Sequence, residues 1–305
     1  MDTNQNSSNS DIFSGIEKLG FNINTSSLYE EKSDQTKDET KAKNEEVDEA
    51  SLLYDKEQKC PACESYFKVR SVKTNAPRLV SRDSDFFIHY SNINPYFYDV
   101  YICPNCGYAS LKRDFEKLRQ HQIEKIKSDI TPKWKKKYYG ITYDVDVAIE
   151  RYKLALLNYF VIESKDSSKA MSCLKLAWMY RLKNDQQNES LFLSQALEGF
   201  NRAFFSEDFP IYGMDRYTVM YLIGELYKRT GDFDNAMKWF SKVLTTPSVS
   251  ERLKDLTRDQ KDYINEIEAS QAKASSADTD DITANTEKEN TDTKKRGFFS
   301  SLFKK

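Results

Sequence analysis

The residues divide into an α+β chain, with a small four-cysteine β module in front, an α-helical repeat array behind it and disordered ends. Three observations lead to that division. Four of the five cysteines stand in two pairs of identical spacing, Cys60-Pro61-Ala62-Cys63 and Cys103-Pro104-Asn105-Cys106. After the second pair the apolar period lengthens from that of a strand to that of a helix. Almost all Tyr, Trp and Phe fall within residues 51–267, whereas residues 1–50 and about 270–295 are dominated by Ser, Asn, Thr, Asp, Glu and Lys.

Bulk composition narrows the function classes. A chain of 305 residues accommodates two modest domains. Its net charge of −2, from 46 basic and 48 acidic side chains, sets up no global field toward nucleic acid. No run of about 18 apolar residues occurs, so an ordinary membrane-spanning helix is excluded. The opening MDTNQNSSNS has neither a basic nor an apolar region, so no signal peptide is expected. Cysteines at metal spacing in such a chain fit a reducing compartment, and the expected location is the cytoplasm.

The module is expected over residues 52–110. Two cysteines three apart reach one ion when the chain turns sharply, and Pro61 and Pro104 pre-set that turn. Gly107 follows the second pair, where a left-handed residue lets backbone N–H groups face the sulfurs; Glu64 holds the matching place in the first. Cys60, Cys63, Cys103 and Cys106 are therefore the candidate metal ligands in a zinc-ribbon-like fold. Structural Zn2+ is the expected ion, with iron the minor alternative. In the 39 residues between the pairs, Phe67, Val69 and Val72 predict a strand leaving the first knuckle. Tyr96, Tyr98, Val100 and Ile102 predict one entering the second, with turn chemistry at Arg82–Phe87 and Asn92–Pro95. Asp83, Asp85 and His89 form an acid–base set on paper, but a turn followed by a half-buried strand is the favoured reading.

One ordered string is particular. Cys60–Cys63, Arg82-x-x-Asp85-Phe86, Asn94-Pro95-x-x-Tyr98 and Cys103–Ala109 together resemble the bacterial family filed as domain of unknown function 2225. The resemblance covers about residues 52–250 and implies a zinc-ribbon front with a repeat-like back; it carries no assigned activity.

Residues 111–267 are expected to be helical, starting with Leu111, Phe115 and Leu118 behind Ser110 as N-cap. Further on the chain resembles tetratricopeptide repeats. The clearest copy, about residues 217–250, has Gly224, Tyr227, Gly231, Phe233, Ala236 and Phe240 at the small and aromatic positions of that pattern. An earlier copy carries Ala177 and Tyr180 on one helix and Ala196, Phe200 and Ala203 on the next, with Lys183–Glu189 as a longer loop between. Ala148, Tyr152 and Ala155 resemble the second helix of a further copy. Cys173, Trp178 and Trp239 read as core residues. By resemblance, such repeats offer a groove to protein partners.

The ends complete the division. Residues 1–51 are a disordered arm with a short helical stripe at Ile12, Phe13, Ile16 and Leu19, and residues 268–293 an acidic disordered linker. Residues 294–305 are a basic amphipathic tail: Phe298, Phe299, Leu302 and Phe303 make one helical stripe beside Lys294, Lys295 and Arg296. This resembles the membrane-targeting tail of the division-site ATPase MinD, and implies contact with an anionic membrane surface.

The function these features predict is a non-enzymatic, metal-stabilised adaptor. It would bind protein partners through its helices, and the tail would hold it at the inner membrane face. The alternative is a nucleic-acid-binding zinc-ribbon protein using the basic segment 112–137. That segment holds ten Lys or Arg against four Asp or Glu, with Trp134, Tyr138 and Tyr139 at hand for stacking. No phosphate-binding glycine loop or nucleophile elbow occurs, and of the two histidines His121 reads as surface.

Overall fold

The structure is a computed structural model and describes residues 48–271. The arm stripe Ile12 to Leu19 and the tail residues Lys294, Lys295, Arg296, Phe298, Phe299, Leu302 and Phe303 lie outside the described residues, as does most of the acidic linker.

Strands occur as three antiparallel pairs among the described residues. β1 (Leu53–Lys59) runs against β2 (Tyr66–Val72), with Leu53 opposite Val72 and Lys59 opposite Tyr66. Phe67, Val69 and Ser71 alternate inward, as the apolar spacing of β2 requires. β3 (Arg78–Arg82) pairs with β4 (Ile88–Ser91) around a bulge between Leu79 and Ser81. β5 (Val100–Ile102) pairs with β6 (Ala109–Leu111), and all six of these residues are buried.

α1 (Gln120–Lys125) continues through a π turn, Ile126–Ile130, and a 3-10 turn, Thr131–Lys133. The array follows as α2 (Val145–Val161), α3 (Asp166–Leu182), α4 (Gln186–Ser206), α5 (Arg216–Arg229) and α6 (Phe233–Thr245), and residues 251–271 are helical. Aspartate starts four of the array helices. Asp144, Asp185, Asp215 and Asp232 each accept from the backbone N–H three residues on, satisfying a donor that the helix cannot. α3 is different: Glu207, just past α4, accepts from the Ser167 backbone N–H at 2.8 Å and from its hydroxyl at 2.6 Å, so the end of one helix caps the start of its neighbour.

Three expected elements differ from those observed. The helical spacing at Leu111 does not start a helix, because Ser110 and Leu111 pair with Tyr101 and Val100 to close the β5–β6 hairpin; Phe115 is instead a core residue. Tyr96 and Tyr98 do not extend β5: Pro95–Tyr98 is a 3-10 turn capped by the Asn94 side chain, which accepts from Tyr96 N at 3.0 Å. The loop expected over Lys183–Glu189 shrinks to three residues, since Asn184 takes a left-handed φ of 56° and Asp185 caps α4 at once. The surplus spacing goes into longer helices, 17 and 21 residues for α3 and α4 against 14 and 13 for α5 and α6.

Small residues set the helix approaches. A Cβ on Gly224 would lie 2.7 Å from the Phe240 ring, and one on Gly199 would lie 2.8 Å from Ala170 Cβ, so each glycine lets a helix pair close up. The β5–β6 hairpin packs into the same core as α2 and α3. Tyr159 on α2 donates its hydroxyl to Asp114 while accepting from Leu111 N, both at 3.0 Å, and Tyr152 donates to the Tyr96 carbonyl at 2.7 Å.

The β3–β4 turn is the second tie between strands and helices. Phe87 is buried and stacks on Trp178 with centroids 5.3 Å apart. Asp85, wholly buried, accepts from Trp178 Nε1 at 3.1 Å and from Arg181 Nη2 at 2.7 Å. Arg181 also reaches Asp83 and Glu189, each at 2.7 Å. Ser84 donates to Glu225 on α5 at 2.6 Å. One turn thereby joins α3, α4 and α5. Burial pushes the Asp85 carboxyl up, but its hydrogen bonds from Arg181 and the nearby Arg229 charge outweigh that and hold its pKa below the usual range.

A folded-state pKa below the unfolded value means that the stabilisation is complete above about pH 4 and is lost as pH falls through the folded pKa. Asp85→Ala leaves Arg181 short of its buried partner, and it is expected to lower stability by about 3–5 kcal/mol. Urea unfolding at pH 7 and pH 3 checks this, with the difference between wild type and variant shrinking at the lower pH.

Candidate metal centre

Both knuckles are hairpin loops. The first links β1 to β2 and the second links β5 to β6, and their backbones repeat each other. Cys60 N donates to Ser65 O at 2.9 Å and Glu64 N to Cys60 O at 2.8 Å; Cys103 N donates to Tyr108 O at 2.8 Å and Gly107 N to Cys103 O at 3.0 Å. Glu64 and Gly107 share a left-handed backbone, with φ of 63° and 78°. The glycine adopts it freely and the glutamate at a cost of about 1–2 kcal/mol.

This repetition brings four sulfurs from distant chain segments within 4.8 Å of one another. Cys60 Sγ lies 3.6 Å from Cys106 Sγ, and Cys63 Sγ lies 3.6 Å from Cys103 Sγ. A disulfide would bring sulfurs to about 2.05 Å. A tetrahedral ion with sulfurs at about 2.3 Å sets its edges at about 3.8 Å, so the spacing matches a four-thiolate shell. Cys60, Cys103 and Cys106 are buried and Cys63 is half-buried.

Electrostatics agree with that fit. The Cys103 thiol is held far down by hydrogen bonds from Cys106 and Cys60, while contact with Cys103 pushes Cys60 up to about 12 and Cys106 further. Burial pushes Cys63 up, yet hydrogen bonds from Ser65 and Asn105 outweigh it and bring that thiol below its usual value. Four crowded thiols cannot all ionise against one another, and a divalent cation among them removes the conflict. The donor set is all thiolate and complete at four, which suits a closed structural site with no open position for a reacting molecule.

The surroundings hold the second knuckle firmly. Trp134 donates its indole N–H to Pro104 O at 3.0 Å, and its ring lies so close that a Cβ on Gly107 would meet it at 2.6 Å. Thr131 donates to Cys106 O at 3.0 Å. Phe115 packs against Phe67, Tyr101 and Tyr108 and seals the cluster. Sequence reasoning found the four cysteines but missed Ser65, whose hydroxyl lies 3.0 Å from Cys63 Sγ. The Ser two places after Cys63 was the available signal. It also offered Trp134 to an external base, whereas the ring is spent on Gly107.

The other singled-out residues fall elsewhere. Asp83, Asp85 and His89 do meet, His89 Nε2 lying 2.8 Å from Asp83 Oδ1, but Arg181 occupies both carboxylates, so the set is a structural tie. His121 is exposed. Cys173 is buried on α3, away from the four-sulfur cluster, and burial pushes its thiol up to about 12. Among the described residues no helix is long and apolar enough to cross a membrane.

The fold and site define a four-cysteine β module built onto a helical array. The chain belongs to the family described as "Uncharacterized protein conserved in bacteria" (DUF2225), which it matches over residues 53–264. It is also similar to a protein of Borreliella burgdorferi bearing the name "Uncharacterized protein", 22% identical over 153 residues, covering 43% of this chain and 54% of that one. The chain thus spans about half the length of that curated relative. No solved structure matches it.

The two knuckles give a paired prediction. Glu64→Gly removes a left-handed glutamate and only an exposed 3.7 Å pair with Lys59, so it is expected to raise stability by about 1 kcal/mol. Gly107→Ala meets both the φ penalty and the Trp134 ring, and is expected to lower it by about 2–4 kcal/mol. Denaturant unfolding in metal-buffered solution measures both.

Proposed function

We propose that this chain is a zinc-stabilised scaffold that presents its helices to a protein partner and is held at an anionic membrane surface by its tail. The observation that carries the reading is a trough over α3, walled by α2 and α4. Leu157 and Phe160 on α2 and Leu191 on α4 stand 51%, 73% and 54% exposed along it. Leu156, Phe192 and Cys173 fill its depth, and its volume is about 510 Å3. Large apolar side chains in a concave, helix-walled hollow suit the apolar face of an amphipathic helix. Lys153, Lys169 and Arg202 alternate with Asp166 and Glu198 around it, so a partner helix of mixed charge is the chemistry that fits.

Zinc is the proposed ion because four thiolates and a closed shell favour it among structural metals. Cys60, Cys63, Cys103 and Cys106 would hold it, and it would supply cohesion, since structural zinc contributes roughly 10–16 kcal/mol in small peptides. Elemental analysis of protein purified under reducing conditions is expected to find one zinc per chain, and Cys106→Ser to lose it. An absence of bound metal in the intact chain would end this part of the reading.

The partner and the membrane are tested separately. A photo-cross-linker at Leu157 is expected to capture a partner in cells that Phe160→Asp no longer captures; a capture unaffected by that change would refute the trough. The full chain is expected to co-sediment with anionic vesicles, and a chain ending at Asp292 to remain in solution. Equal sedimentation of the two would refute the tether.

A further inference from the structure

We propose that a second, separate groove beside the metal centre binds single-stranded nucleic acid, taking phosphates on its lysines and stacking a base on Tyr138. The groove lies between β2, the Pro104 corner of the second knuckle and the stretch from Trp134 to Tyr143, with a volume of about 630 Å3. It shares no residue with the α2–α4 trough.

Its charge is one-sided. Lys68, Arg70, Lys136, Lys137 and Arg151 line it against the single carboxylate of Asp55. Asp55 pairs with Arg70 at 3.0 Å, and Glu150 pairs with Lys137 at 2.6 Å. Among the described residues no carboxylate lies within the 4.0 Å ion-pair range of Lys68, Lys136 or Arg151. Glu57 stands opposite Lys68 in the strand register yet lies outside that range.

Arg151 is the telling member. Its residue is only 7% exposed, and its Nε is buried without a hydrogen-bond partner. One Nη donates to Val100 O, and the guanidinium lies over the Tyr139 and Tyr143 rings at 5.0 and 4.5 Å. A cation buried in this way, with Glu150 acting on it only from beyond ion-pair range, adds a positive potential where water screens it least.

Aromatic surface completes the site. Tyr138 is 82% exposed and lines the groove together with Lys136 and Lys137, so its ring contributes little to the core and stands free in the groove. A single strand offers a phosphate and an open base face at every nucleotide, which is the combination that lysines interleaved with an exposed ring recognise. A duplex hides its base faces, and a lipid headgroup supplies a phosphate without a ring.

The test uses the full chain and fluorescence anisotropy with labelled single strands of about 15 nucleotides, oligo-U and oligo-dT, beside a duplex and phosphatidylglycerol vesicles. Wild type is expected to bind single strands more tightly than duplex, and whether U or dT is preferred assigns the source as RNA or DNA. The double variant Lys68→Glu, Lys136→Glu is expected to bind at least about tenfold more weakly and to flatten the log–log salt slope by about 1.4. Tyr138→Ala is expected to lose about tenfold. Lys238→Glu, on α6, serves as the charge control and is expected to change nothing. All four side chains are exposed, and unchanged melting temperatures verify that the variants are folded. The proposal is overturned if the groove variants bind as wild type does, if duplex binds as tightly as single strand, or if the variants lose affinity for vesicles alone.

Discussion

Four cysteine sulfurs from two hairpin loops some forty residues apart meet within 4.8 Å, and the front of the molecule depends on that meeting. The hairpins are short; β5 and β6 have three residues each, too few to hold a register unaided. The convergence fixes β1–β2 against β5–β6, and Phe115 seals the interface from one side. The same closeness lets Cys103 ionise while its neighbours are held toward the protonated form, and a cation among the four would let all of them ionise together. Geometry and charge therefore call for the same occupant.

The array depends on a different tie. The β3–β4 turn carries Phe87 into the helical core and Asp85 onto Arg181, with Ser84 reaching Glu225. These charges are buried but paired, and each is bonded to a neighbour on another element. Such a network weighs little in net stability and more in specificity, since a rotated or shifted helix would strand a buried charge. The turn thus acts as a gauge that fixes the relative placement of α3, α4 and α5.

Much of this was legible in the residues. The paired Cys-Pro-x-Cys motifs have one economical explanation, whereas the aspartates that cap α2, α4, α5 and α6 came to light only with the helix starts. Gly224 and Phe240 were singled out by their resemblance to the small and aromatic positions of the tetratricopeptide pattern, and the structure packs one against the other. What escaped has identifiable causes. Leu111, Phe115 and Leu118 carry helical spacing, but the partner strand of Leu111 lies nine or more residues upstream, beyond a local pattern. Pro95 overrode the alternation of Tyr96 and Tyr98. The length of α4 was hidden because Lys183–Glu189 is polar, and an exposed helical turn has the same composition as a loop. The exposed strands of β3 have no alternation to detect. Likewise Trp134 and Tyr138 look equivalent in the sequence, and only packing shows that one ring is committed and the other free.

The β5–β6 hairpin belongs to both halves. Its loop supplies Cys103 and Cys106, while Val100, Ile102, Ala109 and Leu111 sit in the core built by α2 and α3. It is a party wall, and neither side can be taken away without exposing the other. A fragment of the metal module alone would lay bare the apolar faces that α2 covers, and the helices alone would lose the floor they rest on. The family match runs unbroken over residues 53–264, so strands, cluster and helices recur together, in accord with that shared wall.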